Sequence, residues 1–267
     1  MRRTLKHFWL PVPPESEPRR IVSLVPGLTE LYVRACGPET TVVGRTRYCT
    51  EPEQLVSRIP VVGGTKDPAI DDVIRLAPDL VIASREENRR EDVEAIADAA
   101  PVLVSDICNL DDLCDLLHLS AQTFPSSARR FQALNKLIND AIAACRALSP
   151  SRPIPVAYLI WRNPWMVAGG DTFIHSVLDT VGYRNVFAQR PRYPAVTAEE
   201  LRTSGARLLL LSSEPFPFTA AHARELEDAT GLPTAPINGR DASWYSASTP
   251  AALLALLRQR LELGGDG

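Results

Sequence analysis

IDDVIRLAPDLVIAS, at residues 70–84, returns in altered form as AEELRTSGARLLLLS at residues 198–212, 128 positions further on. Each copy opens with acidic residues that favour the positive end of a helix, Asp71 in the first and Glu199 in the second. Each then passes through a turn into a short, wholly apolar run, Leu80-Val81-Ile82 or Leu208-Leu209-Leu210. Such runs bounded by turns read as strands buried on both faces of a parallel sheet. A single repeat at this distance is far too long for a solenoid and describes two lobes built on one plan. Two such lobes leave a cleft, and clefts hold small molecules.

The same alternation extends outward. Arg20–Val25 reads as a strand, stopped by Pro26-Gly27, with Thr29 as cap of a helix running from Glu30 to Cys36. Val42-Val43-Gly44, 80–83 and 102–105 read as further strands, with helices over 70–77 and 91–100. In the second half, 156–160, 207–211 and 234–237 read as strands. Helices are expected over 171–181 (capped by Asp171), 197–204 and 219–229, with a last one from Thr249. Between the halves, SSARRFQALNKLINDAIAACRAL (126–148) keeps apolar residues three and four apart, which predicts one helix about 35 Å long. Ser126 or Ser127 can cap it. The expected fold is α/β: two Rossmann-like lobes with mostly parallel sheets, joined by one long backbone helix. The division is an irregular Pro-rich lead-in over 1–19, a lobe over 20–125, the connecting helix over 126–149 and a lobe over 150–267. A single packed helix makes a stiff joint, so small closure is expected.

A net charge of −3 argues against nucleic acid as a partner. No apolar run approaches the length of a membrane span. Five cysteines, odd in number and without a CxxC, argue against a disulfide framework and for a reducing compartment. The N-terminal residues are basic, but no apolar core of a signal peptide follows them. The expectation is therefore a cytoplasmic protein, or a periplasmic one from which a leader has been removed.

No nucleophile elbow, zinc-protease helix or phosphate loop is present. Gly63-Gly64-Thr65-Lys66 reads as a turn, Cys114 with His118 as packing on a helix, and His175 as a half-buried polar residue. Loops that follow strands are richer in signal. They carry Arg45, Arg47, Tyr48 and Arg85 in the first lobe, and Trp161, Arg162, Trp165, Arg192, Tyr193, Trp244 and Tyr245 in the second. Ligands of α/β proteins bind at those strand ends. Planar aromatics with guanidinium groups suit a large, flat, partly anionic molecule.

RIVSLVPGLTEL, IRLAPDLVIASREENRREDV, the one long helix, NPWMVAGGDTFIHSVL, RPRYPAVTAEEL and DASWYSASTP, in that order, resemble the helical-backbone periplasmic binding proteins of metal-chelate uptake, most of all their cobalamin-binding branch. The resemblance runs from about residue 20 to 262. It implies a non-enzymatic binder of a corrinoid or related metal chelate in the inter-lobe cleft, with no cofactor required and cobalamin or another corrinoid as ligand. It places Pro26-Gly27 on a turn near the ligand, Tyr48 on a binding loop, and Tyr193 and Trp244 on cleft tryptophans. Thr65 and Arg85 fall where the cobalamin binder has tryptophans. Asp71 and Glu199 fall on carboxylates that meet an ABC permease. A monomer without nucleic-acid or membrane partners is expected. Haem, a ferric siderophore or a bare metal ion are alternative ligands on the same fold. A cytoplasmic enzyme acting on a cofactor precursor, with His175 or Glu86 as acid–base group, is a further alternative. A scaffold for a protein partner is the last.

Overall fold

The computed structural model describes residues 6–264, and these fall into two units. Unit 1 comprises the chain to Ile107, then Asp111–Ile138 and Tyr245–Ser248; unit 2 comprises Cys108–Leu110, Asn139–Trp244 and the chain from Thr249.

Unit 1 is built from β1 (His7–Leu10), β2 (Arg20–Ser23), α1 (Pro26–Ala35), β3 (Thr41–Arg45), α2 (Glu53–Val56), α3 (Ile70–Arg75), β4 (Leu80–Ser84), α4 (Arg90–Ala97), β5 (Val102–Ser105) and most of α5 (Leu110–Thr123). Its sheet has the order β1-β5-β4-β2-β3. The four strands β5-β4-β2-β3 are parallel, and β1 adds to the edge antiparallel, with Phe8 opposite Val104. The lead-in expected to be irregular thus contains a strand. His7–Leu10 pairs through main-chain bonds, a gain that four residues ahead of a proline do not announce. Pro26 is the other difference. Its fixed φ and missing N–H suit the first turn of a helix, so α1 starts there directly, with Val25 as N-cap. Val22, Leu24, Val73, Val81, Val93 and Val102 form one core layer. Tyr32, Phe124 and Phe131 pack as an aromatic trio, with the Tyr32 hydroxyl 2.9 Å from Ser120 Oγ.

α6 (Ala128–Leu148) belongs to unit 1 as far as Ile138 and to unit 2 from Asn139. A short 3-10 turn, Pro125–Ser127, directly precedes it.

Unit 2 continues with β6 (Ile154–Trp161), β7 (Trp165–Val167), α7 (Phe173–Thr180), β8 (Tyr183–Asn185), β9 (Ala195–Val196), α8 (Ala198–Thr203), β10 (Leu208–Ser212), α9 (Ala220–Thr230), β11 (Thr234–Ile237), α10 (Gly239–Ser243) and α11 (Thr249–Leu263). Thr172, not Asp171, caps α7: its hydroxyl accepts the His175 N–H, while the Asp171 carboxylate accepts the Arg192 N–H. The sheet runs β11-β10-β6-β7-β9, with β8 also beside β6. Strands β11, β10, β6 and β8 are parallel in sequence of pairing, whereas β7 and β9 add antiparallel.

Set side by side, β5-β4-β2-β3 in unit 1 and β11-β10-β6-β8 in unit 2 are the same four-strand arrangement. The repeat seen in sequence is therefore structural. α3 and α8 have six residues each, with one fully buried, Val73 or Leu201; β4 and β10 have five each, all buried. Leu201 packs with Ala157, Leu209 and Leu226 in the unit 2 core. No helix of the described residues is long and apolar enough to cross a membrane.

Candidate functional site

Most of the candidate residues lie in loops beside the ends of strands. In unit 1 the loop after β3 carries Arg47 and Tyr48. Tyr48 is 54% exposed, and the Arg47 guanidinium sits 5.8 Å from its ring centre. Arg47 pairs with Asp67 at 3.0 Å; that bond first, and the Tyr48 hydroxyl second, hold its pKa above the ordinary value. Arg85, after β4, is exposed and paired with Asp106.

These loops are pinned by a residue the sequence reading passed over. Asn88 is buried, and its Oδ1 accepts the Ser84 N–H at 2.8 Å. Its Nδ2 donates to the carbonyl of Thr65 at 2.9 Å and to that of Leu24 at 3.3 Å. One side chain thereby ties together the ends of β2 and β4 and the Gly63–Asp67 turn. Thr65 faces this tie through its main chain.

Pro26 and Gly27 follow the end of β2. Both are buried in the first turn of α1, and a Cβ on Gly27 would come within 3.1 Å of the Tyr245 carbonyl oxygen. The turn approaches the Tyr245–Ser248 segment of its own unit. Tyr245 itself is 4% exposed, and its hydroxyl donates to Ser84 Oγ and Glu87. Burial, with Glu87 beside it, pushes that phenol well up. Tyr245 thus ties unit 1 together and is separated from Trp244, its neighbour in sequence, which belongs to unit 2.

In unit 2, Trp161 ends β6 and is 40% exposed; Trp165 opens β7. Between them Arg162 reaches Glu225 at 2.9 Å and lies 5.6 Å from the Trp165 ring centre. The loop after β10 adds Phe216 and Phe218, which join these tryptophans in one aromatic cluster. Trp161 meets Phe216 at 5.6 Å, Phe216 meets Phe218 at 5.0 Å, and Phe218 stacks on Trp165 at 6.2 Å and 17°. His222 closes the cluster, 5.1 Å from Phe216. Glu214, in the same loop, accepts the Trp244 indole N–H at 2.7 Å, and Arg240 covers the Trp244 ring at 5.0 Å.

Tyr193 is half-buried in the loop before β9. That loop is held against Gly169-Gly170, whose N–H groups donate to the carbonyls of Arg192 and Arg190. A Cβ on Gly170 would fall 1.9 Å from the Ala188 oxygen, so only glycine permits this approach.

Phe216, Phe218, His222, Glu214 and Asn88 are the residues sequence reasoning missed. The repeat could have found Glu214. Ser84-Arg85-Glu86 after β4 corresponds to Ser212-Ser213-Glu214 after β10, and in each the serine hydroxyl caps the main chain two residues on.

Asp71 and Glu199 are both exposed in the first turn of their helices. Glu199 is bonded twice to Arg202, which depresses its pKa. His118 bonds back to the Cys114 carbonyl one turn earlier, and among the described residues His175 Nδ1 is buried without a hydrogen-bond partner. Among the described residues no group of three or more His, Cys, Asp or Glu is placed to hold a metal ion.

Residues 21–228 match the family described as Periplasmic binding protein. The chain belongs to that family. The vitamin B12-binding protein of Salmonella typhimurium is 25% identical over 242 residues, covering 88% of this chain and 86% of that protein. Among solved structures, the periplasmic vitamin B12 binding protein of Vibrio cholerae matches with a TM-score of 0.78 at 18% identity, over 94% of this chain and 99% of that one. The periplasmic heme-binding protein of Roseiflexus sp. RS-1 matches with a TM-score of 0.76 at 21% identity, over 91% and 98%. The chain is thus a binding protein by family, and the relatives are themselves named as binding proteins.

Those relatives correct the cytoplasmic expectation: the findings point to the periplasm. A leader is removed from an exported chain, so the apolar content of the first residues does not decide the compartment. The free cysteines do not decide it either. Cys36, Cys49, Cys114 and Cys145 are buried, and a thiol sealed in a core does not sense the redox poise outside.

Proposed function

We propose that this protein binds a corrinoid through the strand-end loops of its units and passes it to an ABC permease. The observation that carries this reading is the aromatic cluster of unit 2, with Trp161 left 40% exposed beside an arginine already paired to Glu225. A metal chelate brings its own metal donors, so its receptor needs stacking surface and a few directional polar groups rather than a ligand cage. Trp161, Arg162, Trp165, Tyr193 and Trp244 supply these in unit 2, and Arg47, Tyr48, Thr65 and Arg85 in unit 1. Tyr245 is left out of this set because it is buried against Ser84 and Glu87. The curated vitamin B12-binding relatives, aligned over most of the chain, favour a corrinoid. Haem is the second reading, favoured by the likeness to heme-binding structures.

The test is titration of the purified protein with cyanocobalamin, hydroxocobalamin and ferric haem, following the visible spectrum and the heat. One saturable site for the cobalamins, at micromolar affinity or tighter, about −8 kcal/mol, is expected. Trp244→Ala and Tyr193→Ala should each cost about 1–3 kcal/mol of binding. Asp71→Ala with Glu199→Ala should leave ligand affinity unchanged and weaken permease docking alone. Saturable haem binding without cobalamin binding would transfer the assignment to haem.

A further inference from the structure

His222 stands in the unit 2 cluster with only half of its ring committed. Its Nδ1 accepts the main-chain N–H of Thr219 at 3.1 Å, closing a capping box at the start of α9. A peptide N–H can only donate, so Nδ1 must carry the lone pair. In the neutral ring the proton then sits on Nε2. Among the described residues Nε2 has no hydrogen-bond partner. His222 therefore offers a donor, and cannot offer a metal-ligating lone pair without giving up the cap of its own helix.

Its surroundings narrow what that donor meets. Phe216 lies 5.1 Å from the imidazole and Phe218 6.0 Å, edge to face; Trp161 lies next along the cluster with 40% of its surface free. Arg162, the cation over Trp165, is compensated by Glu225, one turn after His222 on α9. A carboxylate seated here would meet a charge already paired. A neutral carbonyl would meet a directional N–H in apolar company, where such a bond gains strength.

We propose that His222 is a specificity-determining residue, donating Nε2–H to a neutral amide carbonyl on the rim of a flat macrocycle stacked on Trp161, and that it does not ligate the metal. This rests on the metal-chelate reading above and deepens it: an amide-rimmed macrocycle is selected over a carboxylate-rimmed one.

The variants separate cap from donor. Glutamate at position 222 restores the Thr-x-x-Glu capping box but has no donor, whereas glutamine can accept from Thr219 and still donate. Cyanocobalamin affinity should fall at least tenfold in His222→Glu and stay within about threefold in His222→Gln, with thermal unfolding of both near that of the parent. Hydroxocobalamin, whose exchangeable axial position takes imidazole, should bind with the same visible spectrum in the parent and in His222→Gln. Ferric haem affinity should change less than cyanocobalamin affinity in His222→Glu. Equal affinity of all three proteins for cyanocobalamin overturns the proposal, as does a His222-dependent shift of the hydroxocobalamin spectrum. If the unsubstituted protein binds neither probe, the corrinoid reading itself fails, a result distinct from either of those.

Discussion

Replacing Asn88 tests whether the unit 1 loops are held by a buried amide. The orientation of that amide follows from its partners: Ser84 presents an N–H, so it must meet Oδ1, and Thr65 and Leu24 present carbonyls, so they must meet Nδ2. Leucine has nearly the same shape and none of these bonds. In Asn88→Leu two main-chain groups that had firm partners are left unpaired, the Ser84 N–H (2.8 Å) buried and the Thr65 carbonyl (2.9 Å) part-buried; the third, at 3.3 Å, contributes little. Orphaning a buried polar group costs about 1–3 kcal/mol, so the variant should lose about 2–4 kcal/mol, or roughly 5–15 °C in Tm for a chain of this size. Asn88→Asp keeps the acceptor for Ser84 but turns a carboxylate oxygen toward two carbonyls. Its folded-state pKa is then raised above the unfolded value of about 3.9. A raised acid is stabilising below the unfolded pKa, and that advantage is lost as pH rises. Asn88→Asp should therefore be the less stable variant at pH 7 and recover toward the parent as pH falls to about 4. Differential scanning calorimetry across that range measures both. A loss under 0.5 kcal/mol in Asn88→Leu, or no pH-dependent recovery in Asn88→Asp, refutes the pinning role.

Glu214→Gln should weaken the hold on the Trp244 indole, which now makes a charge-assisted bond of 2.7 Å; a red-shifted, more quenchable tryptophan emission and about 1 kcal/mol lost from chelate binding are expected. Gly170→Ala, which sets a methyl against the Ala188 main chain, should cost about 1–3 kcal/mol in urea unfolding and loosen the Tyr193 loop. Burial raises the phenol pKa of Tyr32, Tyr158, Tyr183 and Tyr245. Unfolded tyrosine releases its proton near pH 10 while these do not. Stability is intact below that value and should fall above it by up to about 1.4 kcal/mol per pH unit for each. Absorbance at about 295 nm should show these four ionising only together with unfolding.

The repeat carried most of the fold into view, because its signal is physical at both ends. A carboxylate in the first turn and a strand apolar on every position leave marks that survive divergence, and the two copies have the same helix and strand lengths. What was hidden depended on pairing rather than on local composition. β1 exists because β5 offers an open edge, β7 because β6 does, and β9 because β7 does. Nothing within HFWL or AV states that a partner is waiting.

The site divides along the same line. Large planar groups near strand ends nominate Trp161, Trp165 and Trp244 from their type alone. Composition could not separate Trp244 from Tyr245, adjacent in sequence yet assigned to different units, one holding an indole bonded to Glu214 and the other a phenol sealed beside Ser84. Nor could it reveal Phe216 and Phe218, set among prolines in what reads as a plain loop. Yet the repeat held that information. If Arg85 merits attention because it follows β4, the residues after β10 merit it equally. Carrying the 128-residue offset past the strand ends leads from Ser84 to Ser212 and on to Glu214, the residue that orients Trp244. In a duplicated fold, one half's functional loops are the best available index to the other's.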